Sequence, residues 1–331
     1  MSRNQPTIAD VARVAGVSRA TASRAINNGP GASEPLRERV RAAVAELGYQ
    51  PDETARALAT GRQRAVDVIA VSYGSSAGWL GTHPYFSRVL AGMMPVLEGV
   101  NAQLRLHAVG QENAAEEIEE IAANATLGAV LADITPALAT RFHRRSRRVV
   151  SMVPTATAVP AVQADNIGGA DAAVSRLHEL GCRRIAAIHG PDLNPCAIDR
   201  RAGYLQAVQR LGLPDLSADG GFLREGGYRA AQQLLAQHPD IDAMFVACDL
   251  MAAGAIQAIT AGGRRVPDEV SVIGFDDSIA AVCANPPLTT MRLPVEEMAA
   301  AATRLLLAGT PATGHRQRFP VELVVRASTR K

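Results

Sequence analysis

Close to its start the chain carries two helical stripes separated by a sharp stop. Ile8, Val11, Ala12 and Ala15 recur on one face of a helix over residues 8–15. Thr7 is placed to cap that helix, with Asp10 three residues on as a capping-box partner, and Gly16 is placed to end it. Val17 fills the corner, and Ser18 caps a second helix over residues 19–26 that buries Ala22, Ala25 and Ile26. Its opposite face presents Arg19, Ala20, Thr21, Ser23, Arg24 and Asn27, all but Ala20 able to bond to bases or phosphates. Two short helices joined by a tight glycine turn predict a helix-turn-helix. After a loop at 27–31, Ser33 caps a third helix with Pro35 in its first turn. Leu36, Val40, Ala43, Val44 and Leu47 form its stripe, and Gly48 ends it.

The period changes beyond residue 64. Short, nearly continuous apolar runs at 66–72, 104–109, 129–133 and 149–153 alternate with helix-like segments. A second series follows at 185–189, around Phe222, at 243–247 and at 270–274. After Pro294 come a helix over 295–308 and a strand over 319–325. Such runs predict parallel sheets covered by helices on both faces. Two series predict two doubly wound lobes, with ligand in a crevice at the carboxyl ends of the strands. The fold class is therefore α/β, with an all-α helix-turn-helix headpiece ahead of a two-lobed body. Between them, Asp52 and Gly61 bracket a two- to three-turn helix that is marginal alone in water, or a solvated linker.

Composition agrees with two or three globular domains: 331 residues, 47% of them hydrophobic. Charge changes the picture more. The net value is +2, but residues 1–64 hold 10 Arg against 6 acids, and the remainder holds 24 basic residues against 26 acids. A basic head on a slightly acidic body predicts a polyanion-binding module joined to something else. No stretch reads as a signal peptide or is long enough to span a bilayer. Cys182, Cys196, Cys248 and Cys283 form no C-x-x-C pair, and the histidines form no H-E-x-x-H. A reducing cytoplasm is the expected compartment, with no metal and no cofactor. No phosphate-binding loop, G-x-S-x-G elbow or dinucleotide fingerprint occurs, and no residue set reads as a nucleophile with its base, so no catalytic residue is expected.

The stretch Thr7 to Asn27 (TIADVARVAGVSRATASRAIN), continued by ELGYQP at 46–51, closely resembles the headpiece of the lac/galactose repressor family of transcription regulators. Patches at 165–170, 200–204, 221–222, 248–254, 272–277 and 286–290 extend the resemblance over almost the whole chain. It implies a periplasmic-binding-protein-like body and four segments: a headpiece at 1–50, a hinge helix at 51–64, a first lobe at 65–164 with 294–315, and a second lobe at 165–293 with 316–331. Arg19 and Ala20 take the family's base-choosing positions, and Arg24 its frequent base-reading arginine, suited to guanine. Thr7, Ser18, Thr21, Ser23 and Asn27 are then phosphate-positioning residues. The hinge helix would place Arg56 against DNA and wedge Leu58 into a central minor-groove step.

In the body, Arg200 occupies the position that clamps an effector oxygen in this family, and Asp276 the one that accepts from hydroxyls or amines. Phe222 takes the aromatic platform. The plain alternatives are a surface ion pair, a helix cap and a core filler. Asp249, Tyr73 and Phe86 complete the implied effector set, and Asp165 more often braces the cleft than touches ligand. Three departures stand out. Cys248 replaces a sugar-bonding Asn, Leu293 stands where the lac repressor has a glutamine, and His83 takes the place of an Asn in a lengthened entry loop that also holds Trp79. The resemblance implies a homodimeric repressor of a palindromic operator, controlled by a carbohydrate or sugar phosphate, with no membrane association. A tetramer is not expected. The open alternatives are a regulator without a small-molecule effector, and an enzyme or solute-binding protein with an incidental helical head.

Overall fold

The computed structural model describes residues 6–26, 31–47, 49, 64–71 and 79–331, with backbone alone at 79 and 80. It divides into two units, Met1–Gln63 and Arg64–Lys331. In the first, α1 (Ile8–Ala15), α2 (Arg19–Ile26) and α3 (Glu34–Leu47) surround a small core. The capping box forms: Thr7 Oγ1 accepts from the Asp10 N–H at 3.3 Å, and the Asp10 carboxylate accepts from the Thr7 N–H at 2.9 Å. Gly16 adopts φ +62°, the left-handed conformation that ends α1 and that a side chain would oppose. Ser18 Oγ accepts from the Thr21 N–H at 3.1 Å to start α2. Val11, Ala15, Ala25, Val40, Ala43 and Tyr49 pack between the helices. Arg39 of α3 closes the turn by donating to the carbonyl of Ala15 at 2.6 Å.

The second unit contains two sheets. In the first, β1 (Ala65–Val71), β2 (Gln103–Val109), β3 (Gly128–Asp133), β4 (Val149–Ser151), β5 (Ala161–Ala164) and β11 (Arg316–Phe319) are all parallel, in the order β11-β5-β4-β3-β1-β2. The second holds β6 (Ile185–His189), β7 (Ser217–Asp219), β8 (Ala243–Val246), β9 (Ser271–Asp276), β10 (Thr289–Arg292) and β12 (Glu322–Val324), in the order β12-β10-β9-β8-β6-β7. Only β12 among them runs antiparallel to its neighbour. Strand order reverses at β1/β3 and again at β6/β8, which opens a crevice at the carboxyl end of each sheet.

The helices that cover these sheets explain why the strands are so uniformly apolar. They are α4 (Trp79–Thr82), α5 (Pro84–Glu98), α6 (Ala114–Asn124), α7 (Pro136–Arg145), α8 (Asn166–Glu179), α9 (Pro195–Leu211), α10 (Arg224–Gln237), α11 (Asp249–Ala261), α12 (Ile279–Cys283) and α13 (Val295–Leu307). Every residue of β1 is buried. Val66, Val68 and Ala70 feed the core on one face, and Ile69 and Val71 the core on the other. In β6, Ile185 and Ala187 face one core while Ala186 and Ile188 face another. Each Val or Ile among them contributes about 1.5–3 kcal/mol when fully withdrawn from water.

Several elements differ from the pattern-based expectation. The strand expected around Phe222 lies at Ser217–Asp219, and Phe222 itself sits in a turn at φ +60°. The two strands β5 and β10 are short and only partly apolar, too weak a period to register beforehand. The run expected as one strand over 319–325 splits, because Pro320 has no N–H to continue a ladder. Phe319 instead ends a strand over Arg316–Phe319 that pairs with β5 of the first sheet, so the expected assignment of residues 316–319 to the second lobe is corrected.

Between α5 and α13 the backbones touch at Gly92, where an added Cβ would lie 2.1 Å from the carbonyl oxygen of Glu296. Replacing Gly92 with Ala forces these helices apart, and overpacking of this kind costs about 1–3 kcal/mol. We expect Gly92→Ala to lower the thermal midpoint of the body by several degrees, read by calorimetry. Gly110→Ala, whose Cβ would meet open space, is the matched control.

Candidate functional site

Where the carboxyl ends of the two sheets face each other lies a small cavity. Its second-sheet wall is organised by Arg200 of α9, which is only 4% exposed. A buried guanidinium requires partners for its donors. Nε donates to Asn166 Oδ1 at 2.9 Å, and Nη1 donates to the carbonyl of Ala247 at 2.6 Å. Nη1 also lies 3.3 Å from the carboxylate of Asp276. The guanidinium carbon stacks 3.9 Å from the centroid of Phe275, a cation–π contact. Burial raises the Asp276 carboxyl above the ordinary range, and the charges of Arg200 and Arg88 oppose that rise.

Two wall residues are held in backbone conformations that favour glycine. Phe222 has φ +60° and Asp276 φ +115°. Phe222 can turn its ring inward because residue 190 is glycine: a Cβ there would lie 2.4 Å from the ring. Asp276 is held by its carbonyl, which accepts from Arg88 Nη1 at 2.6 Å and from the Leu293 N–H at 3.2 Å. Arg88 belongs to α5 on the first sheet. It also donates to the carbonyl of Leu293 and pairs with Glu296 of α13, so one side chain joins the cavity wall to a crossover between lobes.

The first-sheet wall meets the second across the cavity in two ways. Asn194 Nδ2 donates to Asp133 Oδ1 at 2.9 Å, while Asn194 Oδ1 caps α9 by accepting from the Ala197 N–H at 3.0 Å. His83 caps α5 through Nδ1, which accepts from the Tyr85 N–H at 3.2 Å. Its ring stands edge-on to both Phe86 and Phe222, 6.2 Å from each centroid. Burial, then the charge of Arg200, hold the His83 imidazole down to about 4, so it is neutral at physiological pH. The Tyr85 hydroxyl donates to the carbonyl of Ala132 at 3.0 Å. Met152, Leu293 and Met298 supply apolar wall between these polar groups.

Of the effector residues expected from sequence, His83, Phe86, Arg200, Phe222, Cys248 and Asp276 line this cavity. Tyr73 lies outside the described residues. Asp165 is exposed and caps α8 by accepting from the Gly168 N–H at 3.0 Å, so it is Asn166, one residue on, that reaches the wall. Asp249 is fully buried behind the wall rather than in it. Its oxygens accept from the Ser278 N–H at 2.7 Å and the Thr290 hydroxyl at 2.5 Å, which props the turn carrying Asp276. Cys248 caps α11, its Sγ accepting from the Met251 N–H at 3.5 Å, and burial raises its thiol. Asp133, Asn194, Asn166 and Arg88 were not anticipated. Asp133 carried a usable signal, since it ends an apolar strand run at the carboxyl edge just as Asp276 does.

In the first unit, α2 turns Ala22 and Ala25 inward and leaves Arg19, Ala20 and Arg24 exposed, with Thr21 and Ser23 half-buried beside them. Ser18 and Thr7 are both exposed and both engaged as caps. Asn27, Arg56, Leu58 and the expected hinge helix lie outside the described residues.

Comparison with known proteins accords with this arrangement. Residues 7–52 match the bacterial regulatory proteins of the lacI family, and residues 174–329 match the periplasmic binding protein-like domain. The HTH-type transcriptional regulator CelR of Thermobifida fusca is 35% identical over 92% of each chain. The transcriptional repressor CytR of Escherichia coli K12 is 32% identical over 98% of this chain and 96% of its own. Among solved structures, a CelR–cellobiose complex superposes with TM-score 0.73 at 31% identity, covering 98% of this chain and 99% of that one. A lac repressor dimer bound to operator and the anti-inducer ONPF gives 0.74 at 27% identity, over 99% and 100%. The chain belongs to the LacI family of transcriptional regulators.

Burial, then the neighbouring Asp276 carboxylate, push Asp249 up to about 7. A carboxyl whose pKa is raised on folding keeps its proton in the native state over a range where the unfolded chain has lost it. Stability therefore falls as pH rises from about 4 towards 7. Asp249→Asn preserves one acceptor and one donor, as the protonated acid does. We expect it to flatten that part of the stability–pH curve in urea titrations at pH 5 and 7.5. A wild-type curve that rises over this interval would refute the assignment.

Proposed function

We propose that this chain represses transcription as a homodimer on a palindromic operator, and that a small neutral carbohydrate bound between the lobes controls it. The observation that carries the reading is one chain with two features: an exposed α2 face bearing Arg19 and Arg24, and a buried Arg200–Asn166–Asp276 constellation in an interlobe cavity. Exposed arginines on the second helix of a helix-turn-helix suit base edges and phosphates in the major groove. Acceptors and donors converging between apolar walls suit hydroxyl groups set on an apolar ring. Two similar solved structures support both halves, one a CelR complex with cellobiose and the other a lac repressor dimer bound to operator.

The cavity's charge narrows the ligand. Asp133 and Asp276 bring two carboxylates against one guanidinium, Arg200, and His83 is neutral. A phosphorylated sugar would bring its phosphate beside these carboxyl groups, which disfavours it in a low-dielectric cleft. We therefore favour an unphosphorylated sugar. The replacement of a hydrogen-bonding residue by Cys248, and the apolar Leu293, leave fewer polar contacts than a fully hydroxylated hexose would use. A partly apolar sugar derivative fits better.

We assign the dimer contact to exposed apolar residues of the second lobe, where Ile279 and Val282 are 65% and 55% exposed and Leu223 is 44% exposed. A non-enzymatic role is supported by the regulator relatives and by thiols that burial holds protonated, Cys196 at about 12. Among the described residues no helix is long and apolar enough to cross a membrane. A DNA-bound repressor belongs in the cytoplasm, and we place it there.

Two measurements test this reading. Full-length protein should select a palindrome from a randomised duplex pool, and Arg24→Ala should relax preference at one base pair per half-site, by about 1–3 kcal/mol. Uniform weakening across sequences would reduce Arg24 to a phosphate contact. In a thermal-shift screen of neutral sugars, a ligand at 100 times its Kd stabilises by about 2.7 kcal/mol. Asp276→Ala should lose most of that shift, and equal stabilisation of both proteins would remove Asp276 from the site.

A further inference from the structure

Residues 141–148 read Arg-Phe-His-Arg-Arg-Ser-Arg-Arg, five arginines in eight positions within a body whose overall charge is slightly negative. The structure sorts them. Phe142 and His143 are buried, anchoring the last turn of α7. Arg141 pairs with Glu119. Arg148 donates from Nε to the carbonyl of Leu127 at 3.0 Å, within the sheet edge. Arg147 bonds to the His143 ring at 3.2 Å, and its exposed guanidinium has no carboxylate partner among the described residues. Arg144 and Arg145 are exposed and equally without one.

The position of this tract matters as much as its charge. Helix α7 descends from the cavity end of the first sheet, so its last turn lies at the opposite, amino-terminal edge of the strands. The Ala129 N–H donates to the carbonyl of Arg148, and the Leu127 N–H donates to the carbonyl of Ala65. That ladder sets the tract two strand spacings, about 10 Å, from the start of β1. The chain enters the body at that edge, at Arg64. The carboxylates nearby do not neutralise it. Asp67 is buried beneath Arg105 and His107, Glu119 is taken by Arg141, and Glu98 and Glu120 are exposed on other helices.

We propose that Arg144, Arg145 and Arg147 form a second, sequence-independent contact with the DNA sugar–phosphate backbone, made by the body rather than the headpiece. This rests on the DNA-binding reading above. Arginines clustered without internal partners bind phosphate oxygens and release counterions, which makes affinity salt-dependent without adding base preference.

The test uses full-length protein and a 60-bp duplex of random sequence, with affinity measured by fluorescence anisotropy between 50 and 300 mM NaCl. Each phosphate contact contributes about 0.9 to the slope of log K against log[salt]. The triple variant Arg144→Gln, Arg145→Gln, Arg147→Gln should flatten the slope by one to three units. The Arg→Lys triple should keep it, because ammonium groups also neutralise phosphate. Sequence preference among selected operators should not change. Wild type that binds with a slope equal to the Gln variant's overturns this contact and leaves the repressor reading standing. Wild type that fails to bind any duplex overturns both. All three side chains are exposed, so an unchanged thermal midpoint is expected of every variant.

Discussion

Much of the interlobe cleft depends on hiding one positive charge. Arg200 is buried, and a guanidinium in that position must satisfy its donors or destabilise the whole lobe. Asn166 at the start of α8, the Ala247 carbonyl after β8 and the Asp276 carboxylate at the end of β9 meet that demand from three different elements. The Phe275 ring covers the cation's face. The arrangement that suits a ligand's hydroxyls is therefore also the arrangement that makes the buried arginine tolerable. Asp249 extends it one layer deeper by fixing Ser278 and Thr290 behind the Asp276 turn.

From that centre the structure reaches outward through Arg88. Its contacts to the Asp276 carbonyl, the Leu293 carbonyl and Glu296 connect the cavity wall, a crossover and the α5–α13 pair. The close backbone contact at Gly92 lies on the same pair. A change at the wall thus has a stiff mechanical route into the first lobe. Two-state behaviour needs such packed elements rather than a continuously deformable one.

The headpiece was the most legible part of the chain. Thr7, Asp10, Gly16 and Ser18 act on their own neighbours within a few residues, so their roles as box, stop and cap follow from spacing alone. The two lobes were legible as a pattern, because runs such as 66–71 and 185–189 are apolar on both faces, as parallel strands must be. Less could be read where geometry comes from distant segments. Phe222 sits in a turn made possible by Gly190, thirty-odd residues earlier, and its local sequence resembles a strand. Asp165 and Asn166 are adjacent and both polar, and only the entry angle of α8 decides which faces the cavity. Asp249 falls in a family-like patch, yet its burial under β9 and β10 turns it from a ligand contact into a prop. The arginines of 141–148 were invisible to a charge count taken over the whole body, because acidic helices elsewhere cancel them.

The double use of Asn194 has a mechanical consequence. Its oxygen holds the first turn of α9 while its amide nitrogen holds Asp133 across the cleft. Parting the lobes breaks the second bond and leaves the first intact, so no helix frays when the mouth widens. A hydrogen bond to a carboxylate is worth about 1.5–3 kcal/mol net, which biases the closed arrangement by roughly ten- to a hundred-fold. The latch is thus separable from the helix whose first turn the same side chain holds.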